Sequence, residues 1–251
     1  MGLFDFLGKK RQDGDAAPAV KKSSSKDVSK LARVVGEKMA QNYDRQEAIE
    51  ELSKMGTPEA AEALLKRFGF SMEPSITDQE EKEAAVEGIV AAGKGAILPL
   101  RRYAKKAEGL TWPLRALKRI VGEGEMVPEI LALLEQFDTE YMRNPEPKIQ
   151  LISVLEEYPC EEVRVAVEPF LTDVNEPVRF NAVGTVFAVN DPKSTPAFVA
   201  ALAEEESLRI KNRIAAGLAQ RGWSVGAELL DTVKRALPDD FSVDGERVKR
   251  Y

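Results

Sequence analysis

The chain has 251 residues and a formal net charge of −6, with 43% of its residues hydrophobic and 31% charged. This composition predicts a folded globular protein, and no window approaches 18 uninterrupted apolar residues, so no membrane span is expected. Histidine is absent, which removes the commonest general base and metal ligand and disfavours most hydrolase chemistries. The single Cys160 and the lack of a recognisable signal peptide predict a reducing, cytoplasmic location.

Residues 1–30 are predicted to form a flexible tail that is amphipathic and basic. Seven basic and four acidic residues give it a net charge of +3, which leaves −9 for the rest of the chain. Its apolar head followed by basic residues is typical of a segment that contacts an anionic membrane surface weakly or docks in a groove of a partner protein. Both alternatives stay open, and the first would place the cytoplasmic protein at the inner membrane surface. The predicted docking residues are Leu3, Phe4, Phe6, Leu7, Lys9, Lys10 and Arg11.

The region 31–237 is predicted to be helical and repetitive. Apolar residues recur there at three- and four-residue spacing, and a small or apolar anchor recurs every 30 to 37 residues, the period of helical repeat proteins. Gly or Asn follows most anchors by eight residues and favours a left-handed helix end, so each unit is predicted to be helix, tight turn and helix. The anchors are Ala48, Ala85, Ala116, Ile152, Ala182 and Ala215, and the turn positions are Gly56, Gly93, Gly124, Cys160, Asn190 and Gly222.

The clearest copy of the repeat runs through residues 173–183, where an acidic turn precedes Pro177, Val178 and Arg179, and Ala182 follows three residues later. This arrangement resembles the HEAT-repeat signature, and the segments 44–48 and 206–210 are weaker copies. Together they resemble the short HEAT-like repeats of bacterial proteins, including those related to the phycobilisome lyase repeat. The resemblance implies an all-α, right-handed α-solenoid of about six helical hairpins over residues 31–237. A non-repetitive helical bundle stays open as the alternative.

Residues 238–251 are predicted to form a small cap at the end of the helical region. Polar and apolar residues alternate from Phe241 to Val248 around the dipeptide Asp244-Gly245, which favours a two-residue hairpin turn. Because two such short strands are stable only against another element, we expect them to pack on the last pair of helices.

The most informative charge pattern is basic. Between Lys94 and Arg119 stand eight basic residues and a single acid, Glu108. Like charges four residues apart on a helix cost roughly a few tenths of a kcal/mol per pair unless an acidic group neutralises them. This pattern predicts a surface that binds an acidic protein partner. The alternative is a solvated surface, with Trp112 filling a gap in the core. A nucleic-acid partner is not expected, because the chain is acidic overall. The predicted partner-binding residues are Arg101, Arg102, Lys105, Lys106, Trp112, Arg115, Lys118 and Arg119. We call the seven cations in this list the basic stripe.

No catalytic, cofactor-binding or metal-binding residues are predicted. Cys160 is interpreted as a turn residue, and the carboxylates of residues 80–81 and 204–206 are interpreted as solvated helix ends. The resemblance implies binding rather than catalysis, since proteins of this type mostly bind other macromolecules. The predicted function is therefore that of a non-enzymatic scaffold or adaptor, and the alternative is a helical-repeat enzyme similar to a DNA glycosylase or a bilin lyase.

Overall fold

A computed structural model describes residues 25–251, and this part of the chain is all-α apart from one C-terminal hairpin. The predicted docking residues between Leu3 and Arg11 lie outside the described residues. Within residues 25–251, no helix has the length and apolar character needed to cross a membrane. The α-helices in this range are α1 (Ser25–Gly36), α2 (Asn42–Met55), α3 (Pro58–Leu65), α4 (Ser75–Ala91), α5 (Ile97–Ala104), α6 (Thr111–Val121), α7 (Met126–Leu134), α8 (Glu146–Leu155), α9 (Glu161–Val167), α10 (Glu176–Val189), α11 (Thr195–Glu204), α12 (Leu208–Arg221) and α13 (Leu230–Ala236).

The first helix begins before the predicted end of the flexible tail at residue 30. Helix α1 begins at Ser25, so residues 25–30 are helical, although the sequence placed them in the flexible tail. Ala32 and Val35 of this helix are buried, and the helix packs against α2 and α3. Burial of one apolar side stabilises this helix, although the composition of residues 25–30 did not indicate a helix.

Helix ends follow the local chemistry of the sequence at four of the six predicted turn positions. Gly56, Gly93, Asn190 and Gly222 all have a positive φ between 57° and 61°, in the left-handed region that glycine and asparagine tolerate best. At the first of these turns, Thr57 then caps α3 by accepting a hydrogen bond from the backbone N–H of Ala60.

The other two turn positions differ from the prediction. Helix α6 ends at Val121 and is followed by Gly122, which has φ +73°, and Gly124 lies in the short 3₁₀ segment after it. Cys160 is extended, with φ −152°, and immediately precedes α9. It does lie between two helices, but it does not end one in the left-handed conformation.

Helices pack mainly against the next helix but one. Contacts join α2 to α4, α4 to α6, α8 to α10 and α10 to α12, and a second set joins α3 to α5, α7 to α9 and α11 to α13. All six predicted anchors are at most 2% exposed, and they belong to one apolar core that extends from α1 to the C-terminal hairpin. The anchor periodicity therefore identified the buried side of every second helix.

The C-terminal cap is confirmed as a hairpin of β1 (Phe241–Asp244) and β2 (Arg247–Arg250). Asp244 pairs with Arg247, so the two turn residues are Gly245, with φ +59°, and Glu246, one position later than the predicted dipeptide. Val248 is buried and β2 packs against α12, as short strands require.

Candidate functional site

Four cations of the basic stripe lie around one open depression. Arg101 and Arg102 lie in the last turn of α5, where cations interact favourably with the helix dipole, and Lys105 and Lys106 follow directly. Together with Gln136, which follows α7, they line a space of about 410 Å³. Gln136, at the end of α7, and the residues at the end of α5 thus turn a row of charges along the chain into a basic concavity.

The four cations of this depression differ in how far the protein neutralises them. Arg101 Nη2 lies 2.7 Å from a carboxylate oxygen of Glu129, and Arg102 Nη2 lies 3.3 Å from one of Glu62. Lys105 and Lys106 are exposed and have no ion-pair partner among residues 25–251. The uncompensated positive charge of the depression therefore belongs to the two lysines.

The stripe continues on α6, where helix α4 supplies acidic partners. Arg115 Nη1 lies 2.8 Å from Glu83, and Arg119 donates to both carboxylate oxygens of Glu87 at 2.5 and 2.8 Å. The hydrogen bonds from Arg119 lower the pKa of Glu87, so this pair stays charged. The protein's own carboxylates on α4 thus neutralise Arg115 and Arg119. The sequence did not indicate it because the partners lie 32 residues away.

Lys118 is also held by neighbours within the chain. Its Nζ lies 2.8 Å from Glu123, and the hydroxyl of Tyr158 donates to the same carboxylate at 2.5 Å. These two hydrogen bonds lower the pKa of Glu123 and raise the pKa values of Lys118 and Tyr158. Lys118 therefore adds little uncompensated charge to the stripe.

Trp112 packs against the core rather than standing clear of it. The side chain is half-buried, and its ring stacks on Phe68 with centroids 6.3 Å apart and an interplanar angle of 11°. The guanidinium of Arg115 lies 5.6 Å from the ring on the same helix. This placement favours the alternative in which Trp112 fills a gap in the core.

A buried ionic cluster, formed by Arg45, Arg67, Asp78, Glu81 and Lys82, lies where α2 meets α4. Glu81 Oε2 accepts hydrogen bonds from Arg45 Nε at 2.6 Å and from Arg67 Nε at 2.7 Å. Asp78 accepts from Arg67 at 2.6 Å and from Lys82 at 2.7 Å. Burial opposes ionisation of Asp78, but the hydrogen bonds from Lys82 and Arg67 outweigh it and lower the pKa. Every member has a partner, so the cluster is a structural junction without a free group for a ligand.

Two further ion pairs, one buried and one partly buried, join later segments of the chain. Lys148 Nζ lies 2.6 Å from Asp173, and Arg179 donates to both oxygens of Glu205 at 2.7 and 2.8 Å. Burial opposes ionisation of Glu205, but the hydrogen bond from Arg179 and backbone N–H groups outweigh it and lower the pKa. Each acid lies 25 or 26 residues after its cation, so each pair joins a helix, α8 or α10, to a residue that follows a later helical segment.

The interpretation of the acidic runs as solvated helix ends is wrong for Glu81 and Glu205, which are both buried. A signal for these buried charges was present in the sequence. Three of the cations involved, Arg45, Lys82 and Arg179, stand three residues before an anchor, on the side of the helix that faces the core.

Comparison with models of protein families matches none of them to this chain, and comparison with curated proteins finds no match either. Within residues 25–251, no group of three or more cysteine or acidic residues is arranged to hold a metal ion. The function is therefore argued from the surface of the protein, where the basic depression combines uncompensated positive charge with a concave shape.

Proposed function

We propose that the chain is a non-enzymatic adaptor whose basic stripe docks an acidic protein partner in the cytoplasm. The observation that carries this proposal is the basic depression, in which Lys105 and Lys106 are exposed without ion-pair partners in the described part of the chain. An acidic partner would gain charge pairs with these lysines without displacing carboxylates that the protein already supplies. Turnover of damaged DNA or of a bilin by the purified protein would contradict the proposal in favour of the helical-repeat enzyme.

The end of α5 is the proposed centre of the docking surface. A partner that bound the α6 part of the stripe would compete with Glu83 and Glu87 for Arg115 and Arg119. At α5, Arg101 and Arg102 are each paired with one carboxylate, and they line the same depression as the two lysines. The docking surface is thus narrower than the eight residues that the sequence indicated.

We also propose that the helices form a right-handed α-solenoid of about six HEAT-like hairpins, which would present this surface on an extended scaffold. Packing of most helices on the next but one supports this arrangement, because hairpins stacked in sequence order bring equivalent helices together. The buried pairs support it further, since cations at equivalent positions of α2 and α10 each reach an acid from a later segment.

The test of docking is reversal of the two lysines. We expect Lys105→Glu with Lys106→Glu to abolish capture of an acidic partner from native lysate, and we expect increasing salt to weaken capture by the wild-type chain. The matched control is Lys38→Glu with Lys66→Glu, which changes the net charge equally at two exposed lysines outside the stripe. All variants should keep the melting temperature of the wild type, because exposed charges contribute little to stability. Capture that survives both the reversal and high salt would show that the stripe is only a solvated surface.

A further inference from the structure

A groove of about 810 Å³ lies between helices α7 and α9. Its lining lies within residues 123–176, which carry 14 acidic and three basic residues. Its apolar lining, which we call the floor, includes Leu131, Phe137, Val165 and Pro169. Val165 is 57% exposed, so part of this apolar lining faces solvent. The groove therefore presents apolar surface that no other described element covers.

The charged lining, which we call the rim, consists of four carboxylates, from Glu135, Asp138, Glu161 and Glu162, and no basic residue lines the groove. Glu161 is shared between Arg164 and Lys193, each at 3.3 Å. The other three have no ion-pair partner among residues 25–251. We call this feature the acidic groove, and its chemistry fits a short apolar segment that continues into positive charges.

Such a segment is present in this chain. Residues 3–7 contain four large apolar side chains, and residues 9–11 are Lys, Lys and Arg. We propose that residues 3–11 dock in the acidic groove of their own molecule, with the apolar residues against the floor and the three cations against the rim. The proposal extends beyond the adaptor function, because it concerns a different surface and a different sign of charge.

The length of the chain permits this contact. Residues 12–24 precede α1 and span at most ~45 Å when extended, at ~3.4 Å per residue. Two packed steps of ~8–10 Å each lead from α1 through α3 to α5, and the ion pair of Arg101 with Glu129 then joins α5 to α7 beside the groove. The segment can therefore reach the acidic groove without unfolding any part of the described structure.

The single cysteine of the chain provides the test. Cys160 is half-buried and directly precedes Glu161 on the rim, so a nitroxide attached to it in the full-length, ¹⁵N-labelled protein reports on the groove. We expect the amide signals of residues 2–11 to lose intensity when the nitroxide is oxidised and to recover when it is reduced.

Charge reversal on the rim separates docking from chance proximity. We expect the intensity loss to be abolished by the triple variant Glu135→Lys, Asp138→Lys and Glu162→Lys. The control changes the charge equally at exposed positions outside the groove and should preserve the loss. It combines Glu47→Lys, Glu51→Lys and Glu204→Lys. Phe4→Ser with Phe6→Ser tests the apolar part without altering the groove, and it too should abolish the loss.

Three results would overturn the proposal. The first is equal intensities of residues 2–11 with oxidised and reduced nitroxide in the wild-type chain. The second is an intensity loss that persists in both the rim reversal and the Phe variant. The third is a loss that appears when ¹⁵N-labelled Cys160→Ser protein is mixed with unlabelled, nitroxide-bearing protein, because the occupant would then be the segment of a second copy.

Discussion

Glu81 shows how one side chain can connect three elements. Its carboxylate joins Arg45 of α2 to Arg67, which follows α3, while Glu81 itself lies on α4. All three side chains are buried, and charges removed from water are stable only with partners and hydrogen bonds in good geometry. The position therefore carries a stability requirement that an exposed glutamate at a helix start would not have.

Replacement of Glu81 by Gln should be strongly destabilising. The substitution leaves two buried guanidinium groups facing a neutral amide, and loss of one partner of a buried ion pair costs about 3–5 kcal/mol. Urea unfolding followed by circular dichroism measures this as a lower free energy of unfolding. Glu80→Gln, at the exposed neighbouring position, is the control and should change stability by less than about 0.5 kcal/mol. Equal unfolding midpoints for the two variants would show that Glu81 does not hold the cluster together.

Close packing between helices limits the side chains that individual positions accept. Gly217 of α12 faces the ring of Phe187 on α10, and a Cβ at this position would lie 2.3 Å from the ring. That ring cannot move away easily, because it stacks on Phe198 with centroids 3.8 Å apart and contacts Trp223 on another side. The contact between α10 and α12 thus depends on the missing side chain.

Gly217→Ala should therefore lower stability despite the higher helix propensity of alanine. Propensity alone favours alanine by ~1 kcal/mol within a helix, whereas overpacking a core contact costs typically ~1–3 kcal/mol. We expect a net loss, which thermal unfolding would record as a lower melting temperature. Gly124→Ala is the control, because its φ is not positive and nothing lies within 4 Å of a Cβ there. A melting temperature raised by Gly217→Ala would contradict the close approach of the two helices.

The whole chain should be elongated if the proposed stack of hairpins is correct. Each layer adds one helix spacing, so about six hairpins at ~8–10 Å extend on the order of 50–60 Å. Small-angle X-ray scattering of the full-length protein would then give an asymmetric distance distribution with a long tail. A symmetric distribution typical of a sphere would contradict the solenoid and favour the non-repetitive bundle.

Local chemistry explains the features that were predictable from the sequence. The spacing of apolar residues located helices whose anchors, such as Ala85 and Ala182, are buried, and Gly56 and Asn190 end helices where expected. The Asp244-Gly245 dipeptide indicated the hairpin to within one residue. These features depend on helix periodicity and on backbone conformations that only one or two residue types adopt easily. They can therefore be predicted from short stretches of sequence.

The partners of the charged residues were decided by the tertiary structure. The cations of the stripe looked alike in the sequence, yet packing of α4 beside α6 neutralises Arg119, while Lys106 stays exposed without a partner in the described part of the chain. Likewise, Glu80 and Glu81 are adjacent in sequence, but only Glu81 faces the junction of α2 and α4. The physical reason is that an ion pair depends on the relative position of two side chains about 30 residues apart. That position is set by how the helices pack, whereas helical periodicity is set within a few residues.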